Sequence, residues 1–306
     1  MGGNTTLTKV KGTGSLLGAA FVVGTFGIFS RFVSPMFGFA AQTAVRFGLA
    51  TVLVGGLTLL YRQKSYRIAR QHMTPLLLLG LGSFGLGMLF TIAVNRTKVA
   101  DGLSLLFAGS IITALIVGTT IFKEKVTPSK VAAIGVALVG LAMYAHSFAE
   151  LNIGALAGVA AGVLDGSCNS LRKRLKAVDR HLVVMYQYFI GALCALPFVL
   201  FGGGQAIKAV SAGAIAAMVF YAVFSVALGN LLMYGFARFD VNVGSIVMAS
   251  QIFFAMILGM IFLHEFPTGY ELTGAVLIFS ATTFTALDIG RVWDWLQRSR
   301  LEEVAE

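Results

Sequence analysis

The twenty residues from Ala108 to Thr127 recur 141 positions later, from Ala249 to Thr268. Ala108, Ile111, Ala114, Ile116, Gly118, Glu124 and Thr127 are identical to Ala249, Ile252, Ala255, Ile257, Gly259, Glu265 and Thr268. Each copy is an unbroken apolar run closed by a glutamate. About 20 apolar residues are enough to cross a bilayer as a helix, and a repeated run implies a duplicated membrane architecture. A second match, of Gly14, Leu16, Gly18, Ala20 and Val23 with Gly154, Leu156, Gly158, Ala160 and Val163, extends the duplication to the start of each half.

Composition agrees. The chain is 57% hydrophobic and 12% charged, where a soluble domain carries about twice that charge. The net charge of +10 does not point to nucleic acid, because the Lys and Arg residues fall in short loops where they orient spans. Cys168 and Cys194 lie inside apolar runs, so no disulfide framework is indicated. The first apolar run is too long for a signal-peptide core and is read as a retained span.

The expected fold is all-α and membrane-integral, with ten spans: Gly14–Val33, Phe39–Leu60, Pro75–Val94, Ala100–Phe122, Ser129–Ser147, Gly154–Leu171, Leu182–Phe201, Ala212–Ala237, Val241–Leu263 and Gly269–Ile289. Residues 1–13 form an N-terminal segment, 14–147 and 154–289 the two five-helix repeats, and 290–306 a C-terminal tail. Five spans per half is an odd number, so the second half enters the membrane inverted, the plan of many secondary transporters. On alternate sides of the ten spans, 18 Lys and Arg residues face four, with Arg46 inside a span. The basic side is cytoplasmic by the positive-inside rule, which places both termini inside, in a cell (inner) membrane. Trp293 and Trp295 suit an interfacial anchor. Gly154, Gly158, Gly162 and Gly166 form a stripe for close helix contact.

Thr127 with Pro128, and Thr268 with Glu271, read as helix starts. Glu124 and Glu265 are then either helix-end residues or gating groups. The four histidines, His72, His146, His181 and His264, are scattered and form no metal cluster. Gly80 to Gly85 fits GxGxxG but lies in an apolar span, outside any strand–helix unit. No cofactor is expected.

The chain resembles the EamA family of the drug/metabolite transporter superfamily. The resemblance rests on ten spans in two halves, on Arg46-Phe47 early in the second span, and on Glu124 and Glu265 closing spans four and nine. It implies export or exchange of small metabolites, amino acids among them, through a cavity bounded by spans one to four and six to nine. The family's proline thirteen residues before each glutamate is replaced by Ile111 and Ile252, so these two spans are expected to run without a kink.

Asp165 is the sharpest candidate. It sits about 17 Å into its span by helix rise, near the midplane, where a carboxylate costs roughly 2.5–3.5 kcal/mol and usually serves a cavity. It is a candidate for binding a substrate cation or carrying a proton, or else a structural hydrogen-bond acceptor. Asn169 extends its face by one turn. Arg46, about 10 Å in with Gln42 one turn earlier, is a candidate anion site or a structural cation. The repeat pairs Arg46 with Gln187, Ser110 with Gln251 and Thr25 with Asp165. Asn230 completes the polar set. An amino acid could lie head-on between Arg46 and Asp165. Alternatively, the two charges pair with other protein groups and the substrate is neutral or cationic, such as an amine or a nucleobase. The expected partners are the bilayer and a small-molecule substrate, with the protein a monomer or homodimer. A membrane enzyme or sensor is the non-transport alternative; an enzyme would need paired catalytic groups, and the spans offer only Asp165.

Overall fold

A computed structural model describes residues 2–60, 68–145, 152–201 and 211–286. Trp293, Trp295 and the tail 290–306 lie outside them.

The described residues form eleven helices: α1 (Gly2–Val33), α2 (Phe39–Leu60), α3 (Arg70–Arg96), α4 (Val99–Thr120), α5 (Pro128–Ala145), α6 (Ile153–Arg174), α7 (Arg180–Phe201), α8 (Ala212–Phe236), α9 (Val241–Met248), α10 (Gln251–Leu263) and α11 (Gly269–Ala286). Seven segments are long and apolar enough to cross a membrane: Lys11–Val33, Phe39–Leu60, Arg70–Arg96, Val99–Thr120, Arg180–Phe201, Ala212–Phe236 and Val241–Leu263. The apolar parts of α5 and α11, Lys130–Met143 and Gly269–Ala281, are shorter. In α6, Asp165, Asn169 and three terminal cations dilute the apolar character. Outward-facing side chains are apolar, with Phe201 85% and Leu60 79% exposed, the reverse of a soluble surface.

The first expected span, Gly14–Val33, lies within α1, whose apolar segment is Lys11–Val33. One expectation is corrected. The ninth span does not run unkinked but breaks at Ala249-Ser250 into α9 and α10. The Ser250 N–H and hydroxyl both donate to the Val247 carbonyl, three residues back. The turn is thus tighter than α-helix, and the Ser250 hydroxyl bonds its own helix there. Its counterpart α4 is continuous.

Helix starts are capped as the sequence suggests. Thr268 N–H donates to Glu271 Oε2 at 2.7 Å while Glu271 N–H donates to Thr268 Oγ1 at 3.3 Å, a reciprocal box. Asn152 and Ser211 cap α6 and α8.

Packing follows the duplication. α1 packs on α8 as α6 packs on α3, and α4 on α6 as α10 on α1; α2 meets α7, and α5 meets α11. Exchanging each helix for its repeat counterpart leaves this pattern unchanged, the mark of an internal two-fold. The glycine stripe of α6 makes the closest contact. A Cβ on Gly162 would lie 2.0 Å from the Leu106 carbonyl oxygen and 2.9 Å from Gly109 Cα. Only glycine lets the two backbones approach this closely.

Candidate functional site

A cavity of about 80 Å³ lies between the halves, lined from α1 to α4 and from α6 to α10. Neither α5 nor α11 contributes to it.

Arg46 enters this cavity from α2 and is 4% exposed. Gly87 on α3 makes room for it, since a Cβ there would stand 3.0 Å from Arg46 Nη2. The guanidinium carbon lies 4.3 Å from the ring centre of Tyr221, 4.7 Å from Phe47 and 5.7 Å from Phe26. Desolvated cation–π contacts can be worth about 2 kcal/mol, so the rings offset part of the burial. Nε has no hydrogen-bond partner, and among the described residues no carboxylate forms an ion pair with Arg46.

Asp165 lines the same cavity from α6. Its Oδ2 accepts from Ser110 Oγ on α4 at 2.7 Å and from Asn169 Nδ2 at 3.0 Å. Asn169 Oδ1 in turn accepts from Arg172 Nη1. Asp165, Asn169 and Arg172 are spaced i, i+4 and i+7, so they share one helix face. Arg172 is 3% exposed and lines the cavity, which corrects its reading as one of the loop cations. Lys173 and Arg174 leave on other faces, Lys173 toward Glu124 and Arg174 into solvent or lipid.

Gln187 and Gln251 complete the polar lining. Gln187 Oε1, both amide atoms of Gln251, Ser83 Oγ and the Nε atoms of Arg46 and Arg172 are all buried without hydrogen-bond partners. Each such group costs roughly 1–3 kcal/mol. Their concentration around one cavity makes it the candidate site for a polar ligand.

The remaining candidates stand elsewhere. Gln42 bonds Ser30 and the Phe37 carbonyl, holding α1 to α2. Thr25 donates to the Val22 carbonyl of its own helix. Asn230 donates to Val226 O and does not line the cavity. Ser110 and Asn169 act on it through Asp165. Of the tyrosines, Tyr188 lines the cavity and donates to Ser225 O, while the Tyr234 ring lies under Arg238.

Beyond the cavity, ionic contacts join the halves at both ends of α4. At its C-terminal end Lys173 Nζ lies 2.7 Å from Glu124 and 3.5 Å from Asp240, and Lys130 lies 2.8 Å from Asp240. At its N-terminal end Arg31 lies 3.2 Å from Glu265 and Lys98 lies 3.1 Å from Glu271. Burial works to raise the Asp240 carboxyl, but the hydrogen bond and charge of Lys130, with Lys173, outweigh it and hold Asp240 below the usual carboxylate range.

Residues 10–145 and 152–287 each match the EamA-like transporter family. The threonine/homoserine exporter RhtA of Salmonella typhimurium, in two strains, is 25% identical over 262 residues, covering 84% of this chain and 85% of the exporter. A solved crystal structure at 18% identity superposes with a TM-score of 0.71 over 92% of this chain and 98% of its own. That likeness establishes a shared fold.

Proposed function

The chain belongs to the EamA-like transporter family and is a multi-pass integral membrane protein, and on that premise we propose that it is a secondary transporter of amino acids or close derivatives. The observation that carries this reading is Arg46: a buried guanidinium without a carboxylate partner among the described residues, in one cavity with Asp165 and two glutamines that have unpaired polar atoms. An arginine fork suits a substrate carboxylate. Asp165 suits the ammonium. The exporter of threonine and homoserine among its relatives supports both the substrate class and outward transport.

In this reading the chain crosses the inner membrane ten times, in two inverted halves with both termini inside. The shorter α5 and α11 complete five helices per half, and the exchange-invariant packing supports the inverted plan. The cavity, about 80 Å³, is well below the roughly 300–1,000 Å³ of formed small-molecule pockets. In this reading the cavity widens to admit substrate. Asp165 is the candidate for exchanging a proton against the substrate.

Proteoliposome uptake tests the reading. Arg46→Gln and Asp165→Asn should each weaken uptake of an amino acid about tenfold or more. Arg46→Gln should leave uptake of the decarboxylated amine untouched. If both variants only lower melting temperature, the charges are structural and a neutral or cationic metabolite becomes the better reading.

A further inference from the structure

We propose that Arg172 is a second anion-binding residue of the cavity and that it selects amino acids with an acidic side chain. The proposal rests on the amino-acid reading of the cavity and deepens it.

The first argument is placement. Arg172 is buried at 3% exposure and faces the cavity from the same helix side as Asp165. A run of three cations at a helix end normally lies in solvent or among headgroups. Here the helical twist carries the first of the three inward.

The second argument is what Arg172 bonds. Its Nη1 donates to the neutral amide oxygen of Asn169. Its Nε has no partner, and among the described residues no carboxylate lies within ion-pair distance. With Nη1 engaged, the unpartnered Nε lies on the other edge of the guanidinium, which it shares with Nη2. That edge receives a carboxylate through two parallel hydrogen bonds.

Charge decides the class of ligand. The cavity holds two cations, Arg46 and Arg172, and one carboxylate, Asp165. A zwitterion leaves one positive charge uncompensated in a low-dielectric site, which is costly. An amino acid with a second carboxylate brings the missing negative charge. Its α-carboxylate goes to Arg46, its ammonium to Asp165 and its side-chain carboxylate to Arg172, so every charge is paired.

Glutamate and glutamine differ in this respect and hardly in shape. Competition with each against a labelled amino acid, on the purified transporter in proteoliposomes, reads the preference directly. The wild type should favour glutamate about tenfold or more. Arg172→Gln should remove that preference, with glutamate affinity falling about tenfold more than glutamine affinity. Arg172→Lys guards against a folding failure at Arg172. It keeps the cation but loses the planar fork, and should lower the glutamate preference only in part in a folded protein. A wild type that binds glutamine as well as glutamate overturns the proposal, and so does an equal loss of both ligands in the two variants. If neutral amino acids bind and acidic ones do not, only the role of Arg172 falls. If no amino acid binds, the reading of the cavity falls with it.

Discussion

Glu124 and Glu265 make the same bond at the two ends of one helix. Glu124 follows the C-terminal end of α4 and accepts the Val241 N–H at the start of α9, at 2.8 Å. Glu265 accepts the Val99 N–H at the start of α4 itself, at 2.9 Å. Each follows a residue in the left-handed region, Lys123 at φ 54° and His264 at φ 56°. Each returns its own N–H to a glycine carbonyl, Gly118 or Gly259. Twenty-two residues put the two bonds about 33 Å apart, and both are closed in the same conformation.

This arrangement predicts that the glutamates latch opposite faces of the cavity. Glu124→Gln and Glu265→Gln should each weaken a charge-assisted contact worth roughly 1.5–3 kcal/mol. A Ser83→Cys probe on the cavity wall, in a background without Cys168 and Cys194, reads the result with an impermeant thiol reagent. Labelling should rise from one face in the first variant and from the other face in the second. A rise from the same face in both, or in neither, would leave the glutamates as helix caps alone.

The α4–α6 contact should be the least tolerant packing site. Gly162→Ala drives a methyl group against the Leu106 carbonyl, and Gly109→Ala places one 2.6 Å from the Val159 carbonyl. Backbone cannot step aside as a side chain can. Each variant should lose about 1–3 kcal/mol or more, seen as a lower melting temperature in detergent. Gly48→Ala, with nothing within 4 Å of the added carbon, should melt like the wild type. Equal melting of all three would contradict the close approach.

Much of this was readable from residues alone, because lipid forces helices and apolar runs of span length declare them. Arg46, Asp165, Gln187 and Gln251 stood out because polar side chains inside such runs are costly, and all four line the cavity. Arg172 was hidden by its neighbours. Counted with Lys173 and Arg174, it looked like part of a topology signal. Its spacing of seven and three from Asp165 and Asn169 was the available clue. The break at Ser250 was illegible for another reason. Neither proline nor glycine marks it, and a serine hydroxyl that bonds its own helix looks in sequence like any other serine. Thr25, Gln42 and Asn230 show the converse: depth in a span does not say whether a polar group faces a cavity or its own backbone.

Acid should loosen the Asp240 contacts. A carboxylate held below its ordinary range contributes stability that is present at higher pH and is lost as pH falls through its folded value. Asp240, between Lys130 and Lys173, should therefore stabilise the protein at neutral pH, begin to lose that contribution below about pH 4, and lose it fully only below its own lowered value. Melting temperature followed from pH 7 downward should show a smaller acid loss in Asp240→Asn than in the wild type. Identical acid limbs would remove Asp240 from the account.

The proposed orientation has a direct reading on intact cells. Single cysteines at Pro35, between α1 and α2, and at Ala177, between α6 and α7, should respond differently to an impermeant reagent. Pro35→Cys should label in intact cells and Ala177→Cys only after permeabilisation. The reverse result would turn the topology over.

Lys98 and Asp240 occupy the same N-cap position, before α4 and before α9. Glu271 and Lys130 each stand third in α11 and α5. The two pairs, Lys98–Glu271 and Asp240–Lys130, are therefore one contact written twice with its signs reversed. Two copies of the first half, docked together in the same way, would set Lys98 against Lys130. Two copies of the second half would set Asp240 against Glu271. Each such like-charge pair disfavours self-association, so the halves expressed as separate chains should assemble with each other in preference to themselves.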